Sequence, residues 1–321
     1  VLNWGWATRS YDYAARDWAY NLLMSVEPYS ILFTNGDNDT FPLWYLQEAE
    51  GIRRDVTVIV TSYLNTDWYT LQLKTLTAPC ESGVDPSEDW TIAQCQRPYT
   101  SENTGAAYLA AGETAGDRVP LIVDSLEPPT KSIIPLTDEQ IREAAQAYAP
   151  VEQAVTIPIG NVQAQLTGGQ FLAPWQRFAL ALMIESIDER PIYFASSGNA
   201  AVSLGVQPYL VRQGLAFRLN NGPLTEDDEN GFTRLNPSPY SSVTGEWVDV
   251  ERTQTLLDEV FSHRSGIPDG WDHWPDLATI GIPNYYAWVY LALVQAAIQS
   301  NDTDALDRYQ ARAEAWSALG T

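Results

Sequence analysis

The stretch Ser30 to Thr61, SILFTNGDNDTFPLWYLQEAEGIRRDVTVIVT, constrains this chain more than any other. A short apolar run at Ser30–Thr34 ends in Asn35 and Gly36, where the chain must turn. Asp37, Asn38, Asp39 and Thr40 follow with side-chain oxygens suited to capping a helix, and Pro42 is placed just inside that helix, where a missing N–H is harmless. Phe41, Leu43, Trp44, Tyr45 and Leu46 make the helix apolar nearly all round, and Gly51 ends it. Val56–Val60 is a continuous run of the kind buried on both faces of a parallel sheet. Strand, turn, helix and strand in this order predict a βαβ unit. Its acidic turn then lies at the carboxyl end of a strand, where open α/β sheets place their sites.

The flanking chain repeats the theme. Periodicity predicts helices over Tyr11–Val26, Asn65–Leu76, Leu136–Ala149 and Pro174–Ile187, with Trp68 on the buried side of the second. Strands are expected at Val119–Val123, Val155–Ile159, Asn161–Leu166, Ile192–Ala195 and Leu215–Leu219. The Asn-, Pro-, Gly- and acid-rich segment Asn220–Ser242 reads as a solvated loop. A helical tail begins near Trp247, and Pro283–Gln299 and Thr303–Leu319 form a helical hairpin broken by Ser300, Asn301 and Asp302, like one tetratricopeptide unit. The expected fold class is therefore α/β, a mostly parallel sheet with flanking helices followed by a C-terminal tetratricopeptide-like hairpin. In domain terms this means an α/β domain over 1–220, a linker or solvated loop over 221–245, and a helical tail over 246–321 packed on the α/β body.

Charge narrows the partners. With 41 acidic against 18 basic residues the formal charge is −23, so the surface repels nucleic acid and anionic headgroups. No uninterrupted run of 18 apolar residues occurs, so no direct membrane span is expected. The start shows neither an initiator Met nor a signal-peptide pattern, and Val1 reads as an internal position of a longer precursor. Cys80 and Cys95, the only two cysteines, flank a polar loop and suit a local disulfide better than a metal site, with two free thiols as the alternative. A bridge would place the protein outside the cytoplasm.

Few residues offer chemistry. Asn35, Asp37, Asn38 and Asp39 form the candidate ligand or metal turn, because two carboxylates one residue apart can hold a divalent cation; the alternative is a helix cap. An EF-hand is excluded, since Thr40 stands at its glycine position and Leu46 at its glutamate position. Ser196 and Ser197 lack a G-x-S-x-G elbow, and no G-x-G-x-x-G or Walker loop is present. No catalytic residue, resident metal or cofactor is therefore assigned. Trp4 and Trp6, two residues apart in an apolar arm, are either an edge strand or core-covering tail or a partner-docking segment. The 12 Trp and 17 Tyr could line carbohydrate platforms, although aromatics at helical spacing usually serve the core.

ARDWAYNLL at Ala15–Leu23, ILFTNGDNDTFPLWYLQEAEGIRRDVTVI at Ile31–Ile59 and YLNTDWY at Tyr63–Tyr69 resemble the soluble C-terminal region of bacterial membrane proteins of the protein O-mannosyltransferase-like family, domain of unknown function 2723 or glycosyltransferase family 117. The resemblance continues more loosely through RPIYFA at Arg190–Ala195 and LGVQPYLVRQGLAFRL at Leu204–Leu219. It implies a soluble, extracytoplasmic tail of a multi-span glycosyltransferase whose membrane half carries the transferase chemistry, so no catalytic residue transfers to this chain. The resulting expectation is a periplasmic or extracellular, non-catalytic interaction module, an accessory or structural subunit docked on a membrane protein complex or on its own precursor's membrane half. The alternative is a domain recognising acceptor protein or glycan for such a transferase. A third reading is a metal-dependent glycosyltransferase using Asp37 and Asp39.

Overall fold

The computed structural model describes residues 12–81, 84, 95–99, 127–226, 231–236, 245–264, 266–274 and 276–320. Trp4, Trp6 and the strand expected at Val119–Val123 lie outside the described residues.

The predicted βαβ unit is at the centre. Helix α1 (Ala14–Ser25) leads into β1 (Ile31–Thr34), α2 (Asp37–Ala49) and β2 (Thr57–Val60), then a 3-10 turn at Thr61–Asn65 and α3 (Asp67–Leu76). Next come α4 (Asp138–Ala144), β3 (Ala149–Val151), β4 (Val155–Ile159), β5 (Val162–Leu166), β6 (Gln170–Leu172), α5 (Pro174–Ser186), β7 (Ile192–Ala195) and the short α6 (Ala200–Ser203). The chain ends with β8 (Leu210–Gln213), β9 (Ala216–Leu219), β10 (Thr233–Arg234), β11 (Trp247–Val248), α7 (Val250–Thr255), α8 (Gly281–Ser300) and α9 (Thr303–Leu319).

Seven strands form one sheet in the order β10-β11-β8-β9-β7-β1-β2, and β3–β6 and β4–β5 form separate two-stranded pairs. The main sheet is mixed, which corrects the expectation of a mostly parallel one. Strand β1 pairs in parallel with β2 and β7, and β11 with β8, whereas β7–β9, β8–β9 and β10–β11 are antiparallel. The physical reason is connection length: β8 and β9 are joined by only Gly214 and Leu215, too short for a parallel crossover. Strand β10 lies inside the segment read as a loop, and two- to four-residue strands leave too little alternation to detect.

The pleat sends alternate residues of each strand to opposite cores. Leu32, Tyr193, Ala195 and Ala216 face a core shared with α1, α2, α8 and α9. Ile31, Phe33, Ile192 and Phe194 face a second core with α3, α4 and α5, where Phe33 and Phe194 stack at 5.1 Å. Helix α1 is enclosed almost completely, because the α8–α9 pair covers the side that the sheet does not. Trp18 lies 5.5 Å from the ring of Tyr285 and 5.9 Å from Tyr286, and Tyr286 stacks on Trp316 of α9 at 4.2 Å. The hairpin turn is built as expected: Asn301 takes the left-handed conformation at φ 57° and Asp302 caps α9 through Ala305 N at 3.0 Å. By length and composition Leu277–Ser300 could cross a membrane. A test for an unbroken apolar run passes over it, and its Tyr286, Tyr290, Leu293 and Ala297 are core residues.

A buried charge locks the first unit together. Arg53, in the left-handed region at φ 50°, donates from Nε and Nη2 to Asp55 at 3.0 and 3.1 Å. It also donates to the carbonyls of Leu23, Val26 and Glu27 at 2.7, 3.0 and 3.0 Å. These carbonyls lie at and just beyond the end of α1, where intrahelical partners run out, and that of Glu27 also accepts from the Ser30 hydroxyl. A sequence-local turn residue thus closes a helix thirty residues away.

Candidate functional site

The acidic turn opens α2 at the carboxyl end of β1, with Gly36 as N-cap. Asp39 is 6% exposed and its carboxylate accepts from Asn35 N and Gly36 N, both at 2.8 Å, and from the Ser197 hydroxyl. Ser197 follows β7, so Asp39 ties together the turns after two neighbouring parallel strands. Asn35, Asp37 and Asn38 are exposed, and Asn38 Nδ2 donates to Ala278 O at 2.8 Å, just ahead of α8. The Tyr285 phenol is raised mainly by burial and further by the charge of Asp39, which sets α8 beside this turn. Only one of the two carboxylates is therefore open to solvent. Among the described residues no group of three or more His, Cys, Asp or Glu is placed to hold a metal ion.

Two details of the helix differ from expectation. The helix begins at Asp37, so Pro42 is its sixth residue, beyond the free first-turn N–H groups, and removes the bond that the Asn38 carbonyl would accept. The capping by Asp39 is what moves the start upstream. Nor is α2 buried all round: Phe41 is 45% and Tyr45 51% exposed, and Trp68 on α3, expected inside, is 54% exposed. Ring contacts of 5.8, 6.2 and 5.9 Å run from Phe41 through Trp44 and Tyr63 to Trp68, a continuous aromatic surface beside the acidic turn.

On the other side of the Ser196–Asn199 turn a cleft of about 640 Å³ opens between the sheet and α8. Phe194, Phe217, Arg212 and Trp247 come from the strands, Asn199 and Val202 from the turn and α6, and Trp288 and Gln295 from α8. Arg212 is 4% exposed, sits with its guanidinium 4.3 Å from the Phe217 ring centre, and is paired through Nε with Glu246. Its Nη1 has no partner among the described residues. Sequence reasoning missed this residue, yet a signal was present: an arginine inside the apolar stretch YLVRQGLAF must be buried and paired.

The two histidines do not meet. His263 packs against the stacked rings of Tyr286 and Trp316 at 5.5 and 5.4 Å, and burial, aided by Arg312, holds its imidazole down to about 4, while His273 is exposed. Ser196 donates to Leu215 O at 2.6 Å, so neither turn serine is set against a histidine base. Cys80 and Cys95 form a disulfide with Cα atoms 4.9 Å apart, as an oxidising compartment allows.

Fold and site together define a mixed α/β protein with a C-terminal helical pair, carrying a polar and aromatic cleft at the end of its sheet. Residues 15–88 match the family described as TMEM260-associated domain 2. That span covers α1, β1, α2, β2 and α3, and so includes the acidic turn and the aromatic surface. No curated protein and no solved structure matches the chain.

Proposed function

We propose that this chain is a non-catalytic, extracytoplasmic interaction module, an accessory or structural subunit docked on the periplasmic face of a membrane protein complex or on the membrane half of its own precursor. The observation that carries this reading is the aromatic surface of Phe41, Tyr45 and Trp68, which lies within the family-matched residues and is open to solvent. Large aromatics left exposed and linked through the half-buried rings of Trp44 and Tyr63 favour a protein interface, where each contributes wide contact area with few rotors to freeze. The disulfide supports the compartment, and the sequence resemblance to the soluble region of glycosyltransferase family 117 supports a membrane partner of protein O-mannosyltransferase-like type. The C-terminal helical pair serves here to cover α1, with its tetratricopeptide likeness limited to that pairing.

The test is site-specific photo-crosslinking from position 41 or 68 in the native cell envelope. A crosslink to an integral membrane protein, lost when Phe41, Tyr45 and Trp68 are all changed to Ser, is expected. A fully soluble, uncrosslinked chain overturns the reading. A second reading, recognition of glycan for a membrane-embedded transferase, is favoured by the cleft between the sheet and α8.

A further inference from the structure

We infer that the cleft beneath Trp288 binds a neutral pyranose sugar, with the Trp288 ring as stacking face and the Arg212–Glu246 pair as polar anchor. This deepens the glycan reading and rests on it; it is independent of the aromatic surface on α2 and α3.

The ligand class follows from what the cleft offers. Its volume of about 640 Å³ falls in the range of roughly 300–1,000 Å³ typical of small-molecule sites. Its interior charge is balanced, because the one buried cation, Arg212, is already paired with Glu246. At the rim the exposed Arg234 lies 3.7 Å from Glu226, again one charge of each sign. An anionic ligand would find no uncompensated cation here and would meet the field of a chain with formal charge −23. A cation would displace Arg212 from Glu246. A purely apolar ligand would strand the polar groups of Arg212, Glu246, Asn199 and Gln295 away from water.

A sugar ring has the complementary pattern, with C–H groups on its faces and hydroxyls around its edge. Trp288 is 48% exposed on the α8 wall, in T-shaped contact with the Tyr285 ring at 5.4 Å, and its open surface offers an apolar stacking platform. Arg212, which also lines the cleft, is 96% buried and stacked on Phe217, and its Nη1, closed off from solvent, has no acceptor among the described residues. A guanidinium presents five donors and Glu246 occupies only the Nε side, so a small turn of the side chain toward the cleft brings the unpaired, buried Nη1 to a ligand hydroxyl or ring oxygen, the acceptor the fold lacks. Asn199 and Gln295 add planar amides that can donate and accept at once, the pairing that vicinal hydroxyls require.

The experiment is saturation-transfer NMR and calorimetry on the purified full chain with methyl glycosides and short oligosaccharides of neutral hexoses, glucuronic acid and inorganic phosphate. Neutral sugars bind, and Trp288→Ala weakens them by about tenfold or more, as loss of a stacking face predicts. Arg212→Lys weakens them too while leaving the fold intact by circular dichroism; Trp68→Ala, on the aromatic surface outside the cleft lining, has no effect. If that lysine variant unfolds, Gln295→Ala supplies the polar readout. Preference for glucuronate or phosphate overturns the assigned ligand class. Neutral sugars that bind equally well to Trp288→Ala overturn the site but leave glycan recognition standing. Absence of binding by every sugar overturns both.

Discussion

Replacing Arg53 with Met tests whether a buried charge, more than apolar packing, closes the central unit. Arg53 and Asp55 are 3% and 2% exposed, and Arg53 makes five hydrogen bonds, two to Asp55 and three to the carbonyls of Leu23, Val26 and Glu27. Methionine keeps the unbranched apolar stem but ends two atoms short of the guanidinium nitrogens, and it tolerates φ 50° about as well as arginine, so the backbone contribution largely cancels. What remains is a carboxylate with one donor left among the described residues, Tyr29 N at 3.0 Å, and three carbonyls at the end of α1 with none of Arg53's hydrogens. Removing one partner of a buried pair costs about 3–5 kcal/mol. These contributions are coupled and are not summed. Urea unfolding followed by fluorescence reads the loss as a lower midpoint at unchanged slope. The double variant Arg53→Met/Asp55→Asn removes the stranded charge while an amide oxygen still accepts from Tyr29 N, and it regains about 1–3 kcal/mol. A single variant that loses under about 1 kcal/mol, the scale of an exposed pair, or a double variant no more stable than the single, refutes the argument.

Two further outcomes follow from buried groups and backbone fit. Burial pushes the Asp17 carboxyl up to about 7, against the pull of Arg264, whose N–H donates to Asp17 Oδ2 at 2.6 Å. Between about pH 4 and pH 7 the folded chain therefore holds a proton that the unfolded chain has released, and this contribution to stability falls as pH rises, by at most about 1.4 kcal/mol per unit. His263, held down to about 4, acts in the opposite sense: its contribution is present above the ordinary histidine range and is lost as pH falls. Asp17→Asn removes the first without the second, so its stability relative to the parent rises from about pH 5 to about pH 7 in urea titrations; parallel pH profiles would contradict this. Gly205 has φ 71°, and a Cβ there would come within 2.6 Å of Gln165 N and closer still to Gln165 O. Gly205→Ala destabilises by at least about 2 kcal/mol, whereas Gly36→Ala, at an extended φ with nothing within 4 Å, shifts the midpoint little. Equal melting temperatures for the two variants would show that the hairpin yields.

The elements legible in the sequence are those whose own residues carry both pattern and punctuation. β1, α2 and β2 read directly from an apolar run, a polar turn and a β-branched run, and α5, α8 and α9 from long helical periods with Pro174, Asn301 and Asp302 marking their ends. The disulfide was legible because two cysteines across a short polar loop have few other uses. The outer strands β8, β10 and β11 were not, since two to four residues hold less than one clear alternation. Exposure was harder still. Phe41, Tyr45 and Trp68 look like core by composition, and only the way α2 and α3 pack against opposite faces of the sheet decides that they face water.

The acidic turn shows where the division falls. Local sequence determined that Asn35 to Thr40 would cap a helix at a strand's carboxyl end, because turn residues and helix dipole act over a few bonds. It could not determine that Asp39 would be consumed by Ser197 from 158 residues away, leaving Asp37 alone in solvent. The cleft lies wholly on the tertiary side: Asn199, Arg212, Glu246 and Trp288 have no common period, and they meet because β7, β8 and β11 share a sheet and α8 crosses its end. Short-range physics fixed the pieces of this protein, and long-range pairing chose which polar and aromatic groups would share a site.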